Sequence, residues 1–225
     1  MLRLPSTGCL NVTRLLDTKT GLSGASVRKM CRMSELKIAV DLDGVLAEAM
    51  IVWCDLYNKR YGGTLGLEDI RGWDVWKIVK IPRDQFFNLL DKAWQDWEKM
   101  PPTEDDVGEQ VKLLRESGTV DIVTGRSAHT VSQAKEWLKA HAVPYDRFVR
   151  TESTLAKINL NYDVFVDDSP ELMNLIASRS TALGILYTRP WNRDTQMPTV
   201  VRRVITWAQV PPIVRAVSTR PHVSF

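Results

Sequence analysis

Short apolar runs that break off abruptly in polar residues recur along the chain. Residues 36–40, 120–123 and 164–166 are mostly apolar, and they stop at Asp41, Thr124 and Asp167. Such runs read as parallel strands buried on both faces, because helices cover both sides of the sheet. Residues 184–187 read as a further strand. Between these runs the apolar positions shift to a helical period. Thr103 is placed to cap a helix carrying Val107, Val111 and Leu114, with Gly118 at its far end. Residues 127–141 carry Val131, Ala134 and Leu138 on one face. Strands alternating with helices predict a doubly wound α/β fold.

One stretch breaks the alternation. Between Val45 and Pro102 there is no convincing strand run, and residues 83–97 place Phe86, Leu89, Leu90, Ala93, Trp94 and Trp97 at helical spacing behind Pro82. The chain therefore divides into a catalytic-type core, 34–46 plus 103–210, and a helical cap inserted at 47–102. Five tryptophans fall in the cap: Trp53, Trp73, Trp76, Trp94 and Trp97. An aromatic stripe at helical spacing is expected to pack as core, whereas Trp73 and Trp76, in the loop-like stretch 71–76, are the better candidates to touch a ligand. Residues 191–198 read as a loop, 199–207 as a helix, and 211–225 as a proline-containing tail.

Composition narrows the classes. Thirty basic residues against 27 acidic ones leave a net charge of +3, too balanced to point to nucleic acid or an anionic membrane. No apolar run approaches the roughly 20 residues that span a bilayer. Cys9, Cys31 and Cys54 are odd in number and scattered, which suits a reducing, cytoplasmic setting rather than a disulfide framework or zinc site. Residues 1–33 are basic, with Asp17 the only acid before Glu35. They read as a disordered leader or an upstream start ahead of Met33, and organellar targeting by this basic segment stays open.

The strand ends carry the candidate chemistry. Ligands of open α/β sheets bind beyond the carboxyl ends of the strands, so Asp41, Asp43, Thr124, Asp167 and Asp168 should meet in one crevice. Four converging carboxylates call for a cation, and hard oxygen donors suit magnesium together with a phosphate. A calcium loop starting at Asp41 fails, since its fifth and twelfth positions are Val45 and Val52. Asp168 and Ser169 before Pro170 could also cap a helix. His129, His141 and His222 lack spaced partners, and Glu104, Asp105 and Asp106 suit a helix N-terminus.

Asp41-Leu42-Asp43-Gly44-Val45-Leu46, Val123-Thr124-Gly125-Arg126 and Val166-Asp167-Asp168-Ser169-Pro170, in that order, resemble the first, second and fourth motifs of the haloacid dehalogenase-like superfamily. The likeness covers about residues 36–190 and is nearest to its 5′-nucleotidase and deoxyribonucleotidase group. It implies a Rossmann-like three-layer α/β/α core with a mostly parallel sheet and a helical cap. It also implies a magnesium-dependent phosphomonoesterase acting through a phospho-aspartate. Asp41 would be the nucleophile and Asp43 the acid and base, a role that sets phosphatases apart from dehalogenases. Thr124, Gly125, Arg126, Gly44 and Trp73 would hold the substrate. Asp41, Asp43 (through its carbonyl), Asp167 and Asp168 would hold magnesium. Lys157 would supply the third-motif cation, with Arg150 or Arg126 as substitutes. The expected partner is a small phosphate ester, foremost a nucleoside monophosphate. A polynucleotide 3′-phosphatase, a sugar-phosphate phosphatase and a non-catalytic phosphate-binding module remain alternatives, and a homodimer is left open.

Overall fold

Residues 35–218 are described by a computed structural model. The leader read into residues 1–33 lies outside them, as does the end of the chain from 219 onward. Six strands form the sheet: β1 Leu36–Val40, β2 Gly118–Thr124, β3 Arg147–Arg150, β4 Val164–Asp167, β5 Leu183–Tyr187 and β6 Arg202–Val204. Their order is β3-β2-β1-β4-β5-β6, and every pairing is parallel. The chain builds outward from β1 to β3, then returns to β4 on the other side of β1. That reversal opens a crevice at the carboxyl ends of β1 and β4, where open α/β sheets bind ligands. Val40 aligns with both Ile122 and Val166, so Asp41, Thr124 and Asp167 end neighbouring strands at nearly one level. The register needs Gly118, because a Cβ there would lie 2.0 Å from the Leu36 carbonyl oxygen.

Helices α4 (Val107–Leu114), α5 (Val131–Ala140), α6 (Thr154–Ile158), α7 (Pro170–Arg179) and α8 (Val210–Ser218) join or follow the strands. Between β1 and α4 lie α1 (Ala49–Tyr61), α2 (Val75–Ile78) and α3 (Arg83–Gln95). The chain leaves and re-enters the core at one place. Ala47 bridges Pro102, the Glu48 amide donates to the Pro101 carbonyl at 2.9 Å, and the Thr103 amide donates to that of Leu46 at 2.8 Å. Trp53, in α1, stacks on Tyr57, lies tilted against Phe86 and donates to the Phe86 carbonyl at 3.0 Å. No described helix is long and apolar enough to cross a membrane.

The structure departs from the sequence expectation in several places. Thr103 caps nothing; its hydroxyl donates to the Val45 carbonyl at 2.8 Å, and α4 begins only at Val107. Glu104, read as a helix-end charge, accepts from the Trp207 amide at 2.6 Å and from the Tyr187 hydroxyl, tying the core's far edge together. The helix expected over 199–207 is instead strand β6 followed by a short 3₁₀ turn, Trp207–Gln209. Residues 211–218, read as tail, belong to α8. Its Pro211 and Pro212 occupy the first turn, where a missing N–H leaves no hydrogen bond unmade. Strand β3 has only Phe148 and Val149 as apolar residues, too short a run to stand out from the sequence.

Candidate active site

The crevice between β1 and β4 gathers the polar strand ends. Asp41 follows β1, with its amide donating to the Val166 carbonyl at 2.9 Å. Asp167 closes β4, and Asp168 follows it ahead of α7, which Ser169 caps through the Leu172 amide at 3.2 Å. Capping is thus a task of Ser169, leaving both aspartates free for other work. One carboxylate oxygen from each of Asp41, Asp167 and Asp168 lies within 4.8 Å of the others, and all three residues are buried. Lys157, on the last turn of α6, donates to Asp41 Oδ1 at 2.7 Å and to Asp167 Oδ2 at 2.6 Å. Ser153 starts that helix by accepting from the Ala156 amide at 3.1 Å. Arg150 is exposed and pairs with Glu152, so it takes no part.

Electrostatics follow from burial. The Asp41 carboxyl is raised to about 7, first by burial, against the pull of Lys157 and with further push from Asp167 and Asp43. Burial, then Asp167 and Asp41, raises Asp168 well above the usual carboxylate range. Burial alone would lower Lys157, but Asp167 and Asp41 outweigh it and hold the ammonium well above its ordinary value. Three carboxylates facing one lysine leave excess negative charge in a dry place. Such a set fits a hard divalent cation with oxygen ligands.

Asp43 faces different company. The Trp94 indole N–H, from α3, donates to Asp43 Oδ1 at 2.7 Å. Arg126 Nη1 lies 3.6 Å from the same oxygen, and its Nη2 lies 4.0 Å from Asp91. The Arg126 guanidinium sits 4.5 Å from the Trp94 ring centroid, only 2% exposed, with Nε and Nη1 making no hydrogen bond. Burial raises the Asp43 carboxyl, with Arg126 opposing. Gly44 makes the turn at φ +76°, and a Cβ there would meet Asp168 Oδ2 at 2.5 Å and Trp191 Cζ2 at 2.7 Å. Thr124 ends β2, its hydroxyl accepting from the Arg126 amide at 3.3 Å. Gly125 between them is exposed, with nothing within 4 Å of where a Cβ would stand.

The structure therefore brings together Asp41, Asp43, Gly44, Thr124, Arg126, Lys157, Asp167 and Asp168. It does not bring in Trp73, which is 41% exposed ahead of α2; among the described residues no side-chain hydrogen bond or ring contact joins it to the group. Trp76 packs on Phe86 and Phe87. Trp94, in the stripe expected to pack, is fully buried as expected and also reaches Asp43. Two residues of the 191–198 loop were missed. Trp191 Nε1 donates to Asp168 Oδ2 at 2.8 Å, and Asn192 Nδ2 donates to the carbonyls of Asp168 and Tyr187 at 2.8 and 2.9 Å. Their place just past a strand's carboxyl end was the available signal.

Comparison with known proteins gives a concordant picture. The model of the family described as "5′ nucleotidase, deoxy (Pyrimidine), cytosolic type C protein" matches residues 35–220. "Putative nucleotidase YqfW" of Bacillus subtilis is 22% identical over 179 residues, covering 77% of this chain and 91% of that protein. "Putative nucleotidase BH1399" of Halalkalibacterium halodurans is 23% identical over 176 residues, covering 77% of this chain and 89% of that protein. Among solved structures, a haloacid dehalogenase-like hydrolase from Streptococcus pneumoniae superposes with a TM-score of 0.60 at 14% identity, over 81% of this chain and 98% of that one. A hydrolase of that superfamily from Deinococcus radiodurans, solved with bound phosphate and sodium, gives 0.54 at 14% identity, over 84% and 99%. At such identities these likenesses speak for the fold.

Proposed function

Since this chain belongs to the cytosolic type C 5′-nucleotidase family of haloacid dehalogenase-like phosphatases, we propose that it hydrolyses nucleoside 5′-monophosphates through a phosphorylated Asp41. The observation that carries this reading is the buried Asp41 carboxylate, held by Lys157 at 2.7 Å within reach of Asp167 and Asp168.

Asp41 attacks phosphorus as the P–O bond to the leaving alcohol breaks, and Asp43 gives its proton to that oxygen. In the second step Asp43 takes a proton from water, which attacks the phosphoryl group and releases phosphate, restoring Asp41. The raised Asp43 carboxyl suits a group that must carry a proton at the outset. Lys157 orients Asp41 and offsets the charge that gathers beside it. The Thr124 hydroxyl and the Gly125 amide, at the open end of β2, would hold phosphoryl oxygens. Asp41, Asp167 and Asp168 would hold a magnesium ion, whose charge supplies electrostatic stabilisation of the transferring phosphoryl group.

The test is phosphate release from a panel containing nucleoside 5′-monophosphates, sugar phosphates, a 3′-phosphorylated oligonucleotide and an aryl phosphate. Each is run with magnesium and with EDTA, for wild type and Asp41→Asn. We expect activity with magnesium alone, highest kcat/KM on a nucleoside monophosphate, and a loss of roughly two or more orders of magnitude in Asp41→Asn. Equal activity in the variant would overturn the assignment of Asp41. Highest kcat/KM on another ester class would overturn the substrate.

A further inference from the structure

A cavity of about 420 Å³ opens where Glu48, Leu67 and Glu68 meet the loop after β5. Glu48, Leu67, Glu68, Thr188, Arg189 and Arg193 line it together with Pro190. Its volume falls within the range of small-ligand sites. Glu48 and Arg189 form an ion pair in its wall, with side chains only 7% and 10% exposed. Arg193 pairs with Glu68 at the more exposed rim. Three atoms of this lining are buried without a hydrogen-bond partner: Glu48 Oε1, Thr188 Oγ1 and Arg189 Nε. Buried polar groups are nearly always satisfied, so three orphans around one cavity call for a polar partner there, water or a ligand. Burial, and then Arg193, pulls Arg189 down to about 10.

The donors and acceptors define the guest. Glu48 offers an acceptor, Arg189 a donor, and Thr188 either. Two glutamates and two arginines cancel in charge, so the cavity does not select a second phosphate. The lining holds no aromatic ring on which a base could stack. A hydroxyl group both donates and accepts, and a pair of hydroxyls satisfies Glu48 and Arg189 together. One side chain, Trp191, links the cavity wall to the carboxylate cluster. The Arg189 guanidinium lies 5.2 Å from the Trp191 ring centroid, and that indole donates to Asp168.

We propose that the cavity lined by Glu48, Thr188 and Arg189 is a subsite for the hydroxyl-bearing sugar of the phosphate ester. This rests on the phosphohydrolase reading above. The experiment measures kcat/KM with magnesium on ribose 5-phosphate, a nucleoside 5′-monophosphate and phenyl phosphate, whose alcohol has no further hydroxyl. Wild type, Thr188→Val and Glu48→Gln are compared. Thr188→Val keeps the shape and breaks no protein hydrogen bond, so it reports even if losing the Glu48 charge harms folding. The expected result is a wild-type preference for the sugar esters over phenyl phosphate. The ratio should fall roughly two- to tenfold in Thr188→Val and about tenfold or more in Glu48→Gln, mainly through KM. A ratio that stays within about twofold of wild type in both variants would overturn the subsite, because the residues then serve structure alone. So would a wild type without the preference. A wild type inert on all three esters would sink the phosphohydrolase reading itself, and this inference with it.

Discussion

Two single residues shape the surroundings of the carboxylates. Trp94 presents one N–H to Asp43 Oδ1 from helix α3 and so fixes the orientation of that carboxyl. In Trp94→Phe, kcat should drop roughly tenfold or more on alkyl phosphates, whose leaving oxygen needs a proton. It should drop far less on 4-nitrophenyl phosphate, whose leaving group departs unaided. Equal losses on both esters would make Trp94 a packing residue only. Gly44 is the second. Alanine there must adopt a left-handed conformation that costs about 1–2 kcal/mol and must also push into Asp168 and Trp191. Gly62 shares the conformation at φ +70° but has nothing within 4 Å of a would-be Cβ. Gly44→Ala should therefore abolish magnesium-dependent turnover, whereas Gly62→Ala should lower the Tm and leave turnover close to wild type. Turnover assays beside thermal melts separate the two.

Among the elements, the loop after β5 does work that its irregular backbone conceals. Asn192 is fully buried and spans the carbonyls of Asp168 and Tyr187 while accepting from the Arg189 amide at 2.9 Å. It thereby fixes the end of β4 to the end of β5. Asn192→Ala leaves those buried groups unsatisfied at a cost of about 1–3 kcal/mol, which lowers the Tm by several degrees in a protein of this size. Because Asp168 loses a fixed backbone, half-maximal activation should also need more magnesium. A melt that falls without any change in the magnesium titration would confine Asn192 to stability. Helix α8 makes a similar point about elements. Its prolines disguise it as a tail, yet Val210, Pro211 and Val214 are buried against the core. The tail reading followed proline's general reputation, and its position in the first turn decided otherwise.

On the scale of the whole molecule, the carboxylate cluster would couple stability to the metal ion proposed for it. Asp41 and Asp168 have folded pKa values above their unfolded ones. Between those limits the native state binds more protons than the unfolded chain, so their contribution to stability falls as pH rises. A bound cation requires the ionised forms and reverses that trend. In EDTA, Asp168→Asn should raise the Tm relative to wild type, and more at pH 8 than at pH 5. Magnesium should raise the wild-type Tm most at pH 8 and the variant's least. Differential scanning at both pH values checks this; a variant less stable than wild type at pH 8 in EDTA would refute the repulsion argument.

The alternation of strand and helix, the parallel sheet and the order of the three motif segments were all legible in the sequence. These depend on local period and on where an apolar run stops, and neighbouring residues impose both. The carboxylates were legible too, because in such a sheet the end of a strand is already a location. Tertiary structure alone decided who stands beside them. Trp94 and Trp97 share one stripe, yet only packing against a segment 51 residues away sets the Trp94 indole on Asp43. Trp191 reaches Asp168 from a loop without periodicity, whereas Lys157, which reaches Asp41 across 116 residues, was already named by the resemblance. The side-chain partners of a site are fixed by contacts between segments that the chain brings together only on folding, and no local pattern encodes them.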